Sequence, residues 1–171
     1  MNPIFENRHS VKSFTDQPVE KEKVDEVVKA GLLAPSGKNS QNGVIVCITN
    51  KEVIQKLENL NGKIGGFPKE VHPFYNASTV LLVMVKKCNT GIYDGSIMME
   101  NMLLCASDLG LGACWIHRAK EEVESTEGKE ILSSLNLPLD EYEGIGHVVL
   151  GYPAVKGVKK EIKPGRVYYI D

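Results

Sequence analysis

Arg8, Ser10 and Lys12 set a guanidinium, a hydroxyl and an ammonium at alternate positions, with His9 between the first two. On an extended backbone alternate side chains point the same way, so all three would meet one ligand. A guanidinium fork beside a hydroxyl suits a phosphate, and an ammonium further along suits a delocalised anion. The competing reading is a solvated basic terminus, the commoner fate of a short Arg/Lys cluster.

Three other segments carry chemistry. Pro35-Ser36-Gly37-Lys38-Asn39-Ser40-Gln41-Asn42 is either a solvated turn or a set of amides and hydroxyls that reads a polar heterocycle. Trp115-Ile116-His117-Arg118 offers a flat apolar wall and backbone amides, or simple core packing for the tryptophan. Behind Tyr152-Pro153, the tail holds Lys156, Lys159, Lys160, Lys163 and Arg166. Such a tail is solvated, or it closes over a phosphate.

The elements that must position these groups follow from periodicity. Met1 to Asn7 reads as a short helix. Asp16 and Pro18 open a second, with Val24, Val27, Val28 and Leu32 on one stripe, ending before Pro35. Val44–Thr49 and Val80–Val85 are apolar, β-branched runs typical of buried strands. Lys51–Leu60 is an amphipathic helix and Gly62–Pro73 a loop. From Asp94, taken as N-cap, to Gly110, taken as C-cap, runs a helix apolar nearly all round. Such a helix suits a subunit interface as well as a core. Ala113–Ile116 and Gly146–Leu150 complete the strands, and Glu121–Leu135 reads as a polar helix. His147 sits among strand residues, as a core or surface histidine. The class is α+β: a small, mainly antiparallel sheet of four to five strands flanked by helices.

Composition narrows the function. The chain has 171 residues, enough for one domain with a substantial core, and ends in an arm over 152–171. A net charge of −2 argues against a nucleic-acid binder. No apolar run approaches the roughly 20 residues that span a bilayer, and no signal-peptide core is present, so a cytoplasmic protein is expected. The four cysteines lack zinc spacing and are expected to be free, buried thiols. Gly110-Leu111-Gly112 and Gly144-Ile145-Gly146 each lead into a strand, which excludes a dinucleotide-binding turn. There is no P-loop, nucleophile elbow or H-E-x-x-H.

Four pieces, in order, resemble the nitroreductase family of flavin enzymes. Arg8-His9-Ser10-Val11-Lys12 is similar to its N-terminal flavin mononucleotide (FMN) motif. Ala34-Pro35-Ser36-Gly37-Lys38-Asn39-Ser40-Gln41 is similar to its A-P-S-x-x-N-x-Q loop. Leu109-Gly110-Leu111-Gly112-Ala113-Cys114-Trp115-Ile116 is similar to its G-L-G-x-x-W-I segment. Gly151-Tyr152-Pro153 with the basic tail is similar to its C-terminal phosphate closure. The chain departs from the pattern at Asn42, at Asn76-Ala77-Ser78, and at His117 or Arg118, where many members carry glycine.

The resemblance implies an obligate homodimer with FMN at the interface. Arg8 and Ser10 would take the phosphate, helped by Lys163 and Arg166, with His9 among the cofactor-binding residues and Lys12 at the pyrimidine edge. Pro35, Ser36 and Asn39 would reach the partner's flavin. Trp115, Ile116, His117 and Arg118 would run past the reactive ring nitrogen. No catalytic side chain and no metal is implied, because the cofactor carries the chemistry. The implied activity passes electrons from NAD(P)H or another reduced carrier to a small flat acceptor, such as a nitroaromatic or quinone, by a ping-pong route. The alternative is a flavin-binding carrier or sensor on the same fold. The chain is short for the family, so its pocket is open or is shaped by Gly62–Tyr75.

Overall fold

The computed structural model describes residues 1–158 and 160–171; Lys159, counted above in the basic tail, lies outside them. Its centre is β2 (Thr79–Lys86), whose first seven residues are all buried. β2 pairs antiparallel with β1 (Gly43–Ile48) on one side and β4 (Tyr142–Gly151) on the other, and β3 (Gly112–Ile116) pairs antiparallel with β4. The order β1-β2-β4-β3 makes a four-stranded antiparallel sheet, the smaller of the two expected sizes.

Alternate β2 side chains enter opposite layers, as the strand period requires. Val80, Leu82 and Met84 pack with Ile54 and Leu57 of α3 (Lys51–Ile64) and Val123 of α5 (Ala119–Glu124). Leu81, Val83 and Val85 pack with Val24 and Val27 of α2 (Lys21–Leu32) and Met98, Met99 and Met102 of α4 (Gly91–Asp108). Two smaller helices, α1 (Pro3–Asn7) and α6 (Thr126–Ile131), complete the set.

Several boundaries differ from the sequence reading. Residues 16–20 are not helical and α2 begins at Lys21. α3 runs on to Ile64, taking the first residues of the expected loop, because Leu60 and Asn61 continue its buried stripe. The edge strand β1 is half-buried, not buried. α4 begins one turn before Asp94, which therefore is not the cap. Its carboxylate instead accepts from the Gly37 N–H (2.9 Å) and the Thr90 hydroxyl (2.9 Å). Gly110, at φ 73°, stops α4 one residue beyond its Leu109 cap.

The expected helix over Glu121–Leu135 is two helices broken at Ser125. That residue is extended at ψ 153°, and its hydroxyl accepts from the Gly128 N–H (2.9 Å). β4 starts four residues earlier than expected. It carries Ile145 as a bulge between Gly144 and Gly146, which pair with Met84 and Val83. All four cysteines are free, but Cys47 and Cys88 are exposed and only Cys114 is fully buried. Among the described residues, no helix is long and apolar enough to cross a membrane.

Candidate functional site

The Arg8–Phe14 segment runs along the free edge of β3. Ser10 bridges Ala113 in parallel, and the Val11 N–H donates to the Ala113 carbonyl (3.0 Å). Val11 is buried while Ser10 and Lys12 are exposed, the alternation that the spacing requires. The root of the tail is tied alongside: Thr15 N–H donates to the Tyr152 carbonyl (2.9 Å) and Ala154 N–H to the Ser13 carbonyl (2.9 Å). The Tyr152 hydroxyl donates to Glu20 (2.5 Å) and accepts from Lys23 Nζ (2.7 Å).

Between segment and tail lies a cleft of about 520 Å³, lined by Arg8, His9, Ser10 and Lys12 on one wall and Lys156, Gly157 and Lys160 on the other. Gly157 lies close against the His9 ring; a Cβ there would stand 1.7 Å from Nε2. That Nε2 is buried and has no partner among the described residues, while Nδ1 contacts the Asn7 carbonyl (2.9 Å). Arg8 faces one carboxylate, Glu100, at 3.9 Å, which leaves most of its donors open to a ligand. The cationic field is felt behind the wall. Burial pushes the Cys114 thiol up, and the Ser10 hydroxyl, Lys12 and Arg8 pull it back in that order without reversing the shift. Lys163 and Arg166 are exposed and do not line the cleft; Lys156 and Lys160 stand there instead.

The remaining expected residues fall in two other places. Pro35 and Ser36 line a hollow of about 180 Å³ with Asp94 and Met98. Asp94 shapes it through Gly37, and the Ser36 hydroxyl accepts from the Gln41 N–H (3.0 Å). Asn39 is exposed, with its side-chain oxygen accepting from Gln41 Nε2 (3.1 Å), and Lys38, Asn39 and Gln41 all have positive φ. Trp115, His117 and Arg118 line a third hollow beside Ser96 and Ile145. Ile116, on the opposite side of β3 from Trp115, is buried in the core.

Arg118 has φ 79°, the left-handed backbone that favours glycine, and its guanidinium lies 4.7 Å from the centre of the Phe67 ring. The Gly62–Tyr75 region forms a further cleft of about 560 Å³ with Phe67, Lys69 and His72 on its wall.

One polar cluster escaped the sequence reading. Asn61, Glu122 and His147 are buried together behind the His117–Arg118 turn. The signal was present: Asn61 stands four residues after Leu57 on the apolar stripe of α3, and Glu122 stands three after buried Ala119 on α5. A polar residue on such a stripe needs a buried partner.

The Nitroreductase family model matches residues 5–65 and 68–152. The chain belongs to the nitroreductase family. Among its relatives is the NAD(P)H FMN reductase of Bacillus subtilis, 26% identical over 96% of this chain and 71% of that protein. A nitroreductase from Bacteroides fragilis, solved with bound FMN, superposes with a TM-score of 0.90 at 24% identity, covering 100% of both chains, and so shares the fold. An FMN-dependent nitroreductase from Clostridium difficile has a TM-score of 0.81 at 26% identity, covering 100% of this chain and 99% of its own.

The residues present in this chain fit FMN. The cleft presents a guanidinium, a hydroxyl and ammonium groups to a phosphate, and an orphaned imidazole nitrogen marks its floor.

Proposed function

We propose that this protein is an FMN-dependent oxidoreductase that takes electrons from NAD(P)H and gives them to a small flat acceptor, such as a nitroaromatic or quinone. The observation that carries the reading is the convergence of Arg8, Ser10 and Lys12 on one cationic cleft in a chain of this family. When bound, FMN supplies the two-electron chemistry.

The protein's part is to bind, orient and tune. Arg8 and Ser10 would hold the phosphate, with His9 on the same wall of the cleft. Lys156 and Lys160 close it from the tail, with Lys163 and Arg166 further along the same arm. Lys12 would meet the pyrimidine edge of the ring, where its charge would stabilise negative charge. The Trp115–Arg118 segment borders the ring and supplies a backbone N–H.

The site is completed by a second copy of the chain. We assign the Pro35–Asn39 loop to the flavin of the partner subunit; within one protomer Pro35 and Ser36 line a hollow apart from Arg8 and Lys12, which supports that reading. The exposed apolar residues Ile92, Tyr93 and Ile97 of α4, and Tyr168, Tyr169 and Ile170 of the arm, are the surfaces that a homodimer would cover. We place this one-domain protein in the cytoplasm, with no membrane or nucleic-acid partner.

Anaerobic stopped-flow mixing of FMN-loaded protein with NADH or NADPH tests the activity. Bleaching of the flavin absorbance by either donor, and its return on adding a quinone, is the expected result. Absorbance that persists at saturating donor would overturn the reductase reading in favour of a flavin carrier.

A further inference from the structure

Three polar side chains fill the core side of the His117–Arg118 turn, each from a different element: Asn61 from α3, Glu122 from α5 and His147 from β4. All three are buried. The Asn61 amide donates to Glu122 Oε1 (2.5 Å) and to the His117 carbonyl (2.8 Å). The second Glu122 oxygen accepts from His147 Nε2 (2.6 Å). Such a network is a poor route to stability, because apolar side chains of similar volume avoid its desolvation cost. Its geometry gives it another use.

β3 ends at Ile116, so the His117 carbonyl has no strand partner and depends on Asn61. The Arg118 carbonyl accepts from the Glu122 N–H (3.1 Å), the first bond of α5. Both carbonyls of the turn are therefore held from the α3–α5 side, and no peptide bond in the turn is cis. In a trans peptide the C=O and the next N–H point in opposite directions. Fixing the His117 carbonyl on Asn61 thus turns the Arg118 N–H away from the core. Among the described residues that N–H has no acceptor. The turn also keeps Arg118 in the left-handed region, a conformation that persists only when its surroundings over-determine it.

We propose that Asn61, Glu122 and His147 are positioning residues that aim the Arg118 N–H at the reactive nitrogen, N5, of the flavin ring. Asn61 grips the turn, Glu122 orients the Asn61 amide, and His147 orients Glu122. The inference rests on the FMN reading above.

Isotope-labelled FMN bound to the protein reads both ends of the cofactor by NMR. The phosphorus resonance reports the Arg8 cleft, and the N5 resonance reports a hydrogen bond to that atom. In the unaltered protein both should move on binding. Asn61→Ala should return N5 most of the way to its free position while phosphorus stays at its bound position. Glu122→Gln, which retains an acceptor for Asn61 and a partner for His147, should keep N5 where the unaltered protein holds it. If Asn61→Ala fails to fold, Glu122→Asp withdraws the carboxyl from both partners and should give the same N5 return. The unaltered protein supplies a check that needs no variant: its Arg118 amide resonance should shift when FMN is added.

Bound phosphorus with N5 unmoved by Asn61→Ala or Glu122→Asp would overturn this inference alone. So would an Arg118 amide indifferent to FMN. A phosphorus resonance that never leaves its free position would overturn the FMN reading, and this inference with it.

Discussion

Replacing Arg8 by alanine is the sharpest perturbation of the proposed phosphate end. The Arg8 side chain is only 21% exposed, and its ionic partner among the described residues, Glu100, stands 3.9 Å away, so the guanidinium has donors to spare for a dianionic ligand. A hydrogen bond to a charged group is worth about 1.5–3 kcal/mol, and truncating one side of a buried charge pair costs about 2–5 kcal/mol. Lys12, Lys156 and Lys160 remain on the cleft walls after the change and limit the loss. Arg8→Ala should therefore weaken FMN by about 2–3 kcal/mol, which is roughly 30- to 150-fold in Kd.

Titration by quenching of flavin fluorescence, at one fixed ionic strength, reads this directly. Riboflavin, which has the same ring and no phosphate, is the control, and its affinity should be nearly indifferent to Arg8. Equal losses for FMN and riboflavin would refute the assignment, because Arg8 would then act on the ring or on the fold. An unchanged FMN affinity would refute it outright.

Other expectations follow from local geometry. At φ 79°, Arg118→Gly should be more stable than Arg118→Ala by about 1 kcal/mol in urea denaturation; an alanine variant equal or superior would contradict the left-handed turn. Asp94→Ala strands the Gly37 N–H and should cost about 1–3 kcal/mol, with a loss under a few tenths arguing that the carboxylate does not hold the loop. Iodoacetamide at pH ~8, near the ordinary thiol range, should modify exposed Cys88 and spare Cys114. The sign follows from burial: a thiol pushed up carries less thiolate at a given pH, so the Cys114 rate should rise only at higher pH than that of a free thiol. Rapid Cys114 labelling at neutral pH would contradict this.

The strands of the sheet and helices α2, α3 and α4 were legible because their apolar runs and stripes are strong. In β2 the apolar run is unbroken, and in α2 and α3 the stripe is clear. Boundaries failed where a side chain competes with the pattern. Asp94 looks like a cap because carboxylates cap helices, yet here it ties down a loop distant in sequence. Ser125 breaks a helix by capping the next one, which a polar run conceals. Alternation placed Arg8, Ser10 and Lys12 on one side of the chain, but it did not by itself distinguish a ligand cleft from a solvated terminus. The tail's share of the cleft was not legible, because which lysine faces the cleft depends on Gly157 lying against His9, a contact between distant parts of the chain. The Asn61–Glu122–His147 cluster was hidden for the same reason, since its members come together only when α3, α5 and β4 pack.

Flavin uptake by a dimer is the most direct test of the proposed site. Purified protein incubated with FMN and passed through a size-exclusion column, with absorbance and mass recorded together, should elute as a yellow species at twice the chain mass with equimolar flavin. Colourless protein, with all the FMN eluting as free ligand, would contradict it.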